Sequence, residues 1–104
     1  MLDIRTMTPQ DLPFALELVR LAGWNQTEAD WRRLMDLDPQ GVFVAELGGT
    51  PCGTASVVTF GRRTAWIGMV LVHPDFRRRG VGSALMARCI RTLASRGVES
   101  VKLD

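Results

Sequence analysis

Apolar residues fall in short runs split by Pro and Gly, and the spacing inside each run predicts its element. A first strand is expected at residues 3–7. A helix follows, for which Thr8-Pro9-Gln10-Asp11 offers an N-cap with Pro at the first helical position. Asp11 is the rival cap, because Pro13 is tolerated only within a first turn. Leu12, Ala15, Leu16, Val19 and Ala22 then recur at helical spacing as far as Gly23. Trp24-Asn25-Gln26 leads to a second helix, capped by Thr27 with Asp30 at the third position and carrying Trp31, Leu34 and Met35 on its apolar side.

After the turn Asp38-Pro39-Gln40-Gly41 come strand-like runs at 42–47, 52–60 and 64–72, joined by Gly48-Gly49 and by Gly61-Arg62-Arg63. The third run, TAWIGMVLV, is nearly continuous apolar, which predicts a central strand buried on both faces. Gly68 inside it predicts a bulge or a close backbone approach. His73-Pro74-Asp75-Phe76 leaves the sheet, and a Gly-rich turn opens a strong helix. Leu85, Met86, Cys89, Ile90, Leu93 and Ala94 form its apolar side, Arg88 and Arg91 the other, and Gly97 its end. A last strand starts at Ser100; a helical crossover makes it parallel to the 64–72 strand. The order β-α-α-β-β-β-α-β describes one α+β domain over residues 1–104, with a mixed, mostly antiparallel sheet and flanking helices.

Composition narrows the function. The chain has 104 residues, 46% hydrophobic and 23% charged, so it folds as a small globular domain rather than staying disordered. No apolar run approaches the roughly 20 residues a bilayer needs, so no membrane partner is expected. Thirteen Lys and Arg against eleven Asp and Glu give 13 − 11 = +2, which exerts no general pull on nucleic acid. Cys52 and Cys89 make neither a disulfide framework nor a metal set. The start, Met1-Leu2-Asp3-Ile4-Arg5, lacks the apolar core of a signal peptide, so a cytoplasmic location with reduced thiols is expected.

The segment that carries chemistry runs from Val70 to Ala84. A buried strand runs out, a short loop turns, and Arg77-Arg78-Arg79-Gly80-Val81-Gly82 opens a helix. The first residues of a helix have unpaired N–H groups and sit at the positive end of its dipole. Gly80 and Gly82 let a ligand approach those groups, and the three arginines add positive charge, so the turn reads as a pyrophosphate cradle. A P-loop would need Gly-Lys-[Ser/Thr], whereas this chain has Gly82-Ser83-Ala84. A dinucleotide fingerprint would need a small residue where Leu85 sits, and a parallel β-α-β unit at the start of the fold. Asp104 lies at the distance that fingerprint expects of its acidic residue, but those two mismatches outweigh it.

The run Val72-His73-Pro74-Asp75-Phe76-Arg77-Arg78-Arg79-Gly80-Val81-Gly82-Ser83-Ala84-Leu85 resembles the acetyl-CoA motif of the GNAT superfamily of N-acetyltransferases, and the element order over residues 3–103 resembles the N-terminal part of that fold. The resemblance implies acetyl-CoA as co-substrate, no metal, and direct transfer of acetyl to the amine of a small molecule or peptide. It implies that Val70, Leu71 and Val72 line the pantetheine arm, with the Val70 N–H on the acetyl carbonyl. It implies that amides from Arg78 through Ser83, Gly80, Val81 and Gly82 among them, hold the pyrophosphate beside Arg77 and Arg79. Trp24 and Asn25 fall where the family borders the acceptor amine; a core aromatic and a polar turn are the competing reading.

The chain also departs from the family pattern. It has no Tyr, the residue that protonates the leaving thiolate in many relatives, and Trp66 stands where some carry a catalytic glutamate. Neither acid nor base is therefore assigned; Glu46 is the best of weak candidates for the base. The alternative is a non-catalytic domain that binds acyl-CoA or mediates assembly. His73 reads as a loop-opening residue, and both cysteines read as packing. The family fold continues beyond the last strand found here, so a fragment of a longer enzyme is expected. Its exposed last strand predicts a homodimer through the 98–104 edge, and a light-scattering mass of one chain at all concentrations would refute that.

Overall fold

The computed structural model describes residues 1–61 and 63–103. Arg62, in the expected 61–63 turn, and Asp104, at the tip of the expected dimer edge, lie outside them. Five strands form one sheet in sequence order: β1 (Leu2–Thr6), β2 (Val42–Leu47), β3 (Thr50–Phe60), β4 (Thr64–Val72) and β5 (Ser100–Leu103). Neighbours are antiparallel except β4 and β5, which are parallel as the crossover helix requires. Helices α1 (Leu12–Ala22) and α2 (Glu28–Leu37) precede β2, and α3 (Val81–Ser95) joins β4 to β5.

Side-chain alternation along the strands divides the core into two layers. Phe43, Ala55, Val57, Ala65 and Ile67 face α3, where they meet its buried stripe Val81, Leu85, Cys89 and Leu93. Val42, Val44 and Leu71 face the other way, onto Leu12, Ala15, Leu18 and Val19 of α1 and Trp31 of α2. The stripe of α1 differs from the expected one. Leu18 replaces Leu16 among the buried residues, and Ala22 is exposed. At its N-terminus Thr8 and Asp11 are both used: Pro9–Asp11 makes a 3-10 turn and the α-helix begins only at Leu12. The stripe of α3 is narrower than expected, for Met86 is half-buried and Ile90 and Ala94 are exposed.

The start of α1 is pinned by charge. Arg5 of β1 donates to both carboxylate oxygens of Asp11, at 2.8 Å each, and at 3.3 Å to Glu46. Asp11 also accepts the Thr8 N–H at 2.8 Å. The Arg5 guanidinium holds the Asp11 carboxyl below its ordinary value of 3.8, against the opposing effect of burial. A carboxyl whose pKa is lower in the folded chain stabilises it above the unfolded value, and that stability disappears as pH falls through the folded value. Asp11→Asn should therefore cost about 1 kcal/mol at pH 7, a modest figure because the Arg5 end is open to solvent. The gap in melting temperature between the two proteins should begin to narrow below about pH 4 and go on narrowing as the pH falls. Melting curves from pH 3 to 7 check this; a gap that stays constant with pH would show that Arg5 and Asp11 are not the cause.

Candidate functional site: a bulged strand beside an open helix start

The ladder between β3 and β4 slips once. Thr54 pairs with Leu71 and Ser56 with Gly68, so Met69 and Val70 together stand opposite the single residue Ala55. This is a β-bulge, one extra residue on β4. The sequence placed it near Gly68, but the residue in the left-handed region is Met69, with φ 55°. A non-glycine residue there costs on the order of 1 kcal/mol.

Beyond the bulge, one edge of β4 is open. The His73 N–H donates to the Cys52 carbonyl at 2.8 Å, so this peptide faces β3. Peptide groups alternate along an antiparallel strand, which turns Leu71 toward β3 as well and aims the N–H and C=O of Val70 and Val72 at the opposite edge. On that edge β5 pairs only with residues 64–67. The backbone of Val70 and Val72 therefore presents unpaired groups among the described residues.

The helix start lies at the same end of β4. Arg78 and Gly80 both have positive φ, 65° and 76°, and α3 begins at Val81. The first helical bond runs from the Ala84 N–H to the Gly80 carbonyl at 3.0 Å, which leaves the N–H groups of Val81, Gly82 and Ser83 without intrahelical partners. Left-handed residues leading into a helix curl successive N–H groups into a concave anion site. A depression of about 250 Å³ opens there, lined by Val72 and Phe76 on one side and by Arg77, Arg78 and residues 80–83 on the other. Val72 thus joins the strand edge to the cradle.

Most of the expected cofactor residues therefore converge. Leu71 does not join them: its side chain is buried toward α1 and its peptide faces β3, so neither lines the open edge. Arg79 turns from the depression and lies over the Phe76 ring, 5.7 Å from its centroid. Phe76 was missed in the sequence, although an aromatic residue between Pro74 and a basic run was a usable signal. Trp24 and Asn25 lie exposed on the α1–α2 linker and do not line the depression. Next to them Gln26 Oε1 and Trp31 Nε1 are buried without hydrogen-bond partners. His73 Nδ1 accepts the Asp75 N–H at 3.1 Å and so caps the 74–76 turn. Glu46 is held by Arg5 at 3.3 Å. Trp66, half-buried, has Lys102 over its ring at 5.5 Å.

Burial pushes the Cys89 thiol up to about 11, and raises Cys52 too, so neither is a ready nucleophile. Among the described residues no group of three His, Cys, Asp or Glu is placed to hold a metal, and no helix is long and apolar enough to cross a membrane. A second depression of about 270 Å³, between Met7, Pro9, Met35 and Pro39, shares no residue with the first and gathers no comparable set of free amides.

Residues 7–104 match the profile of the Acetyltransferase (GNAT) family. The chain belongs to that family. It is 36% identical over 85 residues to an acetyltransferase of Sodalis glossinidius (strain morsitans), an alignment that covers 80% of this chain and 58% of the relative. An acetyltransferase of Pectobacterium atrosepticum matches at the same identity and coverage. The chain thus spans little more than half the length of these curated relatives. Among solved structures, Ard1 from Thermoplasma volcanium superposes with a TM-score of 0.92 at 27% identity, covering 98% of this chain and 70% of that one. Rv2747 from Mycobacterium tuberculosis, solved in complex with CoA, shares the fold at a TM-score of 0.86 and 19% identity, covering 97% and 63%. The fold of these structures thus extends over nearly all of this chain.

Proposed function

We propose that the chain binds acetyl-CoA across β4 and α3 and serves the transfer of its acetyl group to an amine. The observation that carries this reading is the meeting, at one end of β4, of two sets of free backbone donors. The N–H groups of residues 81–83, with the left-handed turn at Arg78 and Gly80, suit a diphosphate. The outward N–H of Val70 suits the carbonyl oxygen of a thioester, where negative charge grows as an amine attacks. Val72, between them, offers the pantetheine arm a strand edge to follow. Related proteins support the cofactor: both curated relatives above are named acetyltransferases, and Rv2747 was solved with CoA.

The chemistry asked of these residues is limited. They hold the thioester in place, which removes most of the entropy cost of bringing two reactants together, and they donate a hydrogen bond to the developing oxyanion. An amine that attacks must also lose a proton, and the departing thiolate must gain one. Acceptor classes among structural neighbours include an aminoglycoside and glucosamine-6-phosphate, named for those proteins. Calorimetry with acetyl-CoA and with adenosine diphosphate tests the binding half. Tighter binding of acetyl-CoA is expected, and no binding of either by monodisperse protein would refute it.

The second reading is a domain that binds acyl-CoA without turning it over. Trp66 favours it, since an indole stands where the family resemblance puts a carboxylate base. A turnover assay on a panel of amines separates the two. Acetyl-CoA binding with no product from any amine would select the second.

A further inference from the structure

The bulge that aims Val70 needs something to hold it at one place on β4. A backbone ladder does not do so, because an extra residue can be shifted along a strand while the flanking pairs re-form. The residues opposite do. The Thr54 hydroxyl donates to the Met69 carbonyl at 2.9 Å, and the Ser56 hydroxyl donates to the Gly68 carbonyl at 3.1 Å. Both side chains are almost completely buried, at 0% and 2% exposure, and they are two of only three buried polar residues found among those described. They flank Ala55, which stands opposite the extra residue. Two successive carbonyls of β4 thus receive side-chain hydroxyls at the point where the ladder slips.

We propose that Thr54 and Ser56 are positioning residues: their hydroxyls lock the β4 bulge at Met69 and so aim the Val70 N–H at the acetyl group. The proposal rests on the acetyl-CoA reading above and assigns its geometry to β3. Neither residue touches the ligand in this account; both act through the backbone of β4. A buried carbonyl left without its hydroxyl would draw the strand into another register, since unpaired buried polar groups are costly.

Thr54→Val preserves shape and removes only the hydroxyl, Thr54→Ser restores it, and Ser56→Ala is the parallel case. Calorimetry should show acetyl-CoA binding about tenfold weaker in Thr54→Val, the equivalent of one lost hydrogen bond, with adenosine diphosphate changed less than about twofold. Thr54→Ser should recover most of the loss. Equal weakening of both ligands would mean general damage and overturn the proposal, as would unchanged acetyl-CoA binding. The ligand-free protein gives a second readout, independent of the cofactor. The Met69 Cα chemical shift, which reports its left-handed backbone, should move in Thr54→Val and Ser56→Ala and return in Thr54→Ser. If the wild-type chain binds neither ligand, the functional reading fails alone and this shift decides the role of the hydroxyls. A shift unmoved in both variants overturns it.

Discussion

Gly82→Asp should abolish acetyl-CoA binding, by at least about a hundredfold or about 2.7 kcal/mol, while the fold stays intact. A Cβ built at Gly82 meets only Val72 Cγ2, at 3.6 Å, an ordinary contact, so the ligand-free protein has room for the side chain. That side chain would enter the depression between Val72 and the start of α3. It would bring a negative charge to the place meant for a diphosphate. Its effect on stability runs the other way, because an acidic residue in the first turn of a helix is favourable. The expected signature is lost calorimetric heat with an equal or higher melting temperature. Gly82→Ala is the control, for it adds a methyl without charge and should weaken binding far less. If Gly82→Asp bound the cofactor as wild type does, the diphosphate would have to sit elsewhere.

Gly53→Ala should produce the opposite signature, with stability lost first. Gly53 lies on β3 under the start of α3, paired with Val72. An added Cβ would stand 2.9 Å from the Leu71 carbonyl oxygen, 2.9 Å from Leu85 Cδ1 and 3.0 Å from Val81 Cγ1. The side-chain ends of Leu85 and Val81 can turn aside in part, but the carbonyl belongs to the β4 backbone and cannot. Overpacking of this kind costs about 1–3 kcal/mol. For a domain of this size that lowers the melting temperature by roughly 5–20 °C. Cofactor affinity should fall as well, because Val81 and Leu71 both neighbour the site. A thermal melt and a titration on the same sample check both parts. A Gly53→Ala protein that melts like wild type would show that α3 does not pack on β3 as described.

These two glycines show how unevenly the site was legible in the sequence. Gly82 stood in a pattern whose meaning is local: a helix start leaves N–H groups unpaired and a glycine there leaves them open to a ligand, whatever the rest of the chain does. The same holds for the capping box at Thr27 and Asp30 and for the left-handed Gly23 that ends α1. Gly53 gave no such signal, since its need for a bare backbone comes from α3, nearly thirty residues later. Thr54 and Ser56 looked like ordinary members of a strand rich in β-branched residues, because the slip that gives their hydroxyls a purpose is a property of two strands. Gly68 pointed to the right neighbourhood, yet Met69 took the left-handed backbone, for β3 and not glycine's freedom sets the place. Arg88 read as solvent-facing, but its stem folds back so that the guanidinium lies 5.2 Å from the Phe43 ring centroid. Ile90 read as core and is exposed, because the buried stripe of α3 is only one residue wide per turn. Periodicity predicts which side of a helix is apolar; it does not predict how much of that side the sheet covers.

The most direct test of the cradle and the strand edge together is a residue-resolved titration of backbone amides by nuclear magnetic resonance. Adenosine diphosphate should move the amide signals of residues 78–83 and leave Val70 in place. Acetyl-CoA should move both sets, with Val70 responding only to the ligand that carries the thioester. Saturation by acetyl-CoA with the amides of residues 80–83 unmoved, and the changes gathered at another surface, would contradict the account.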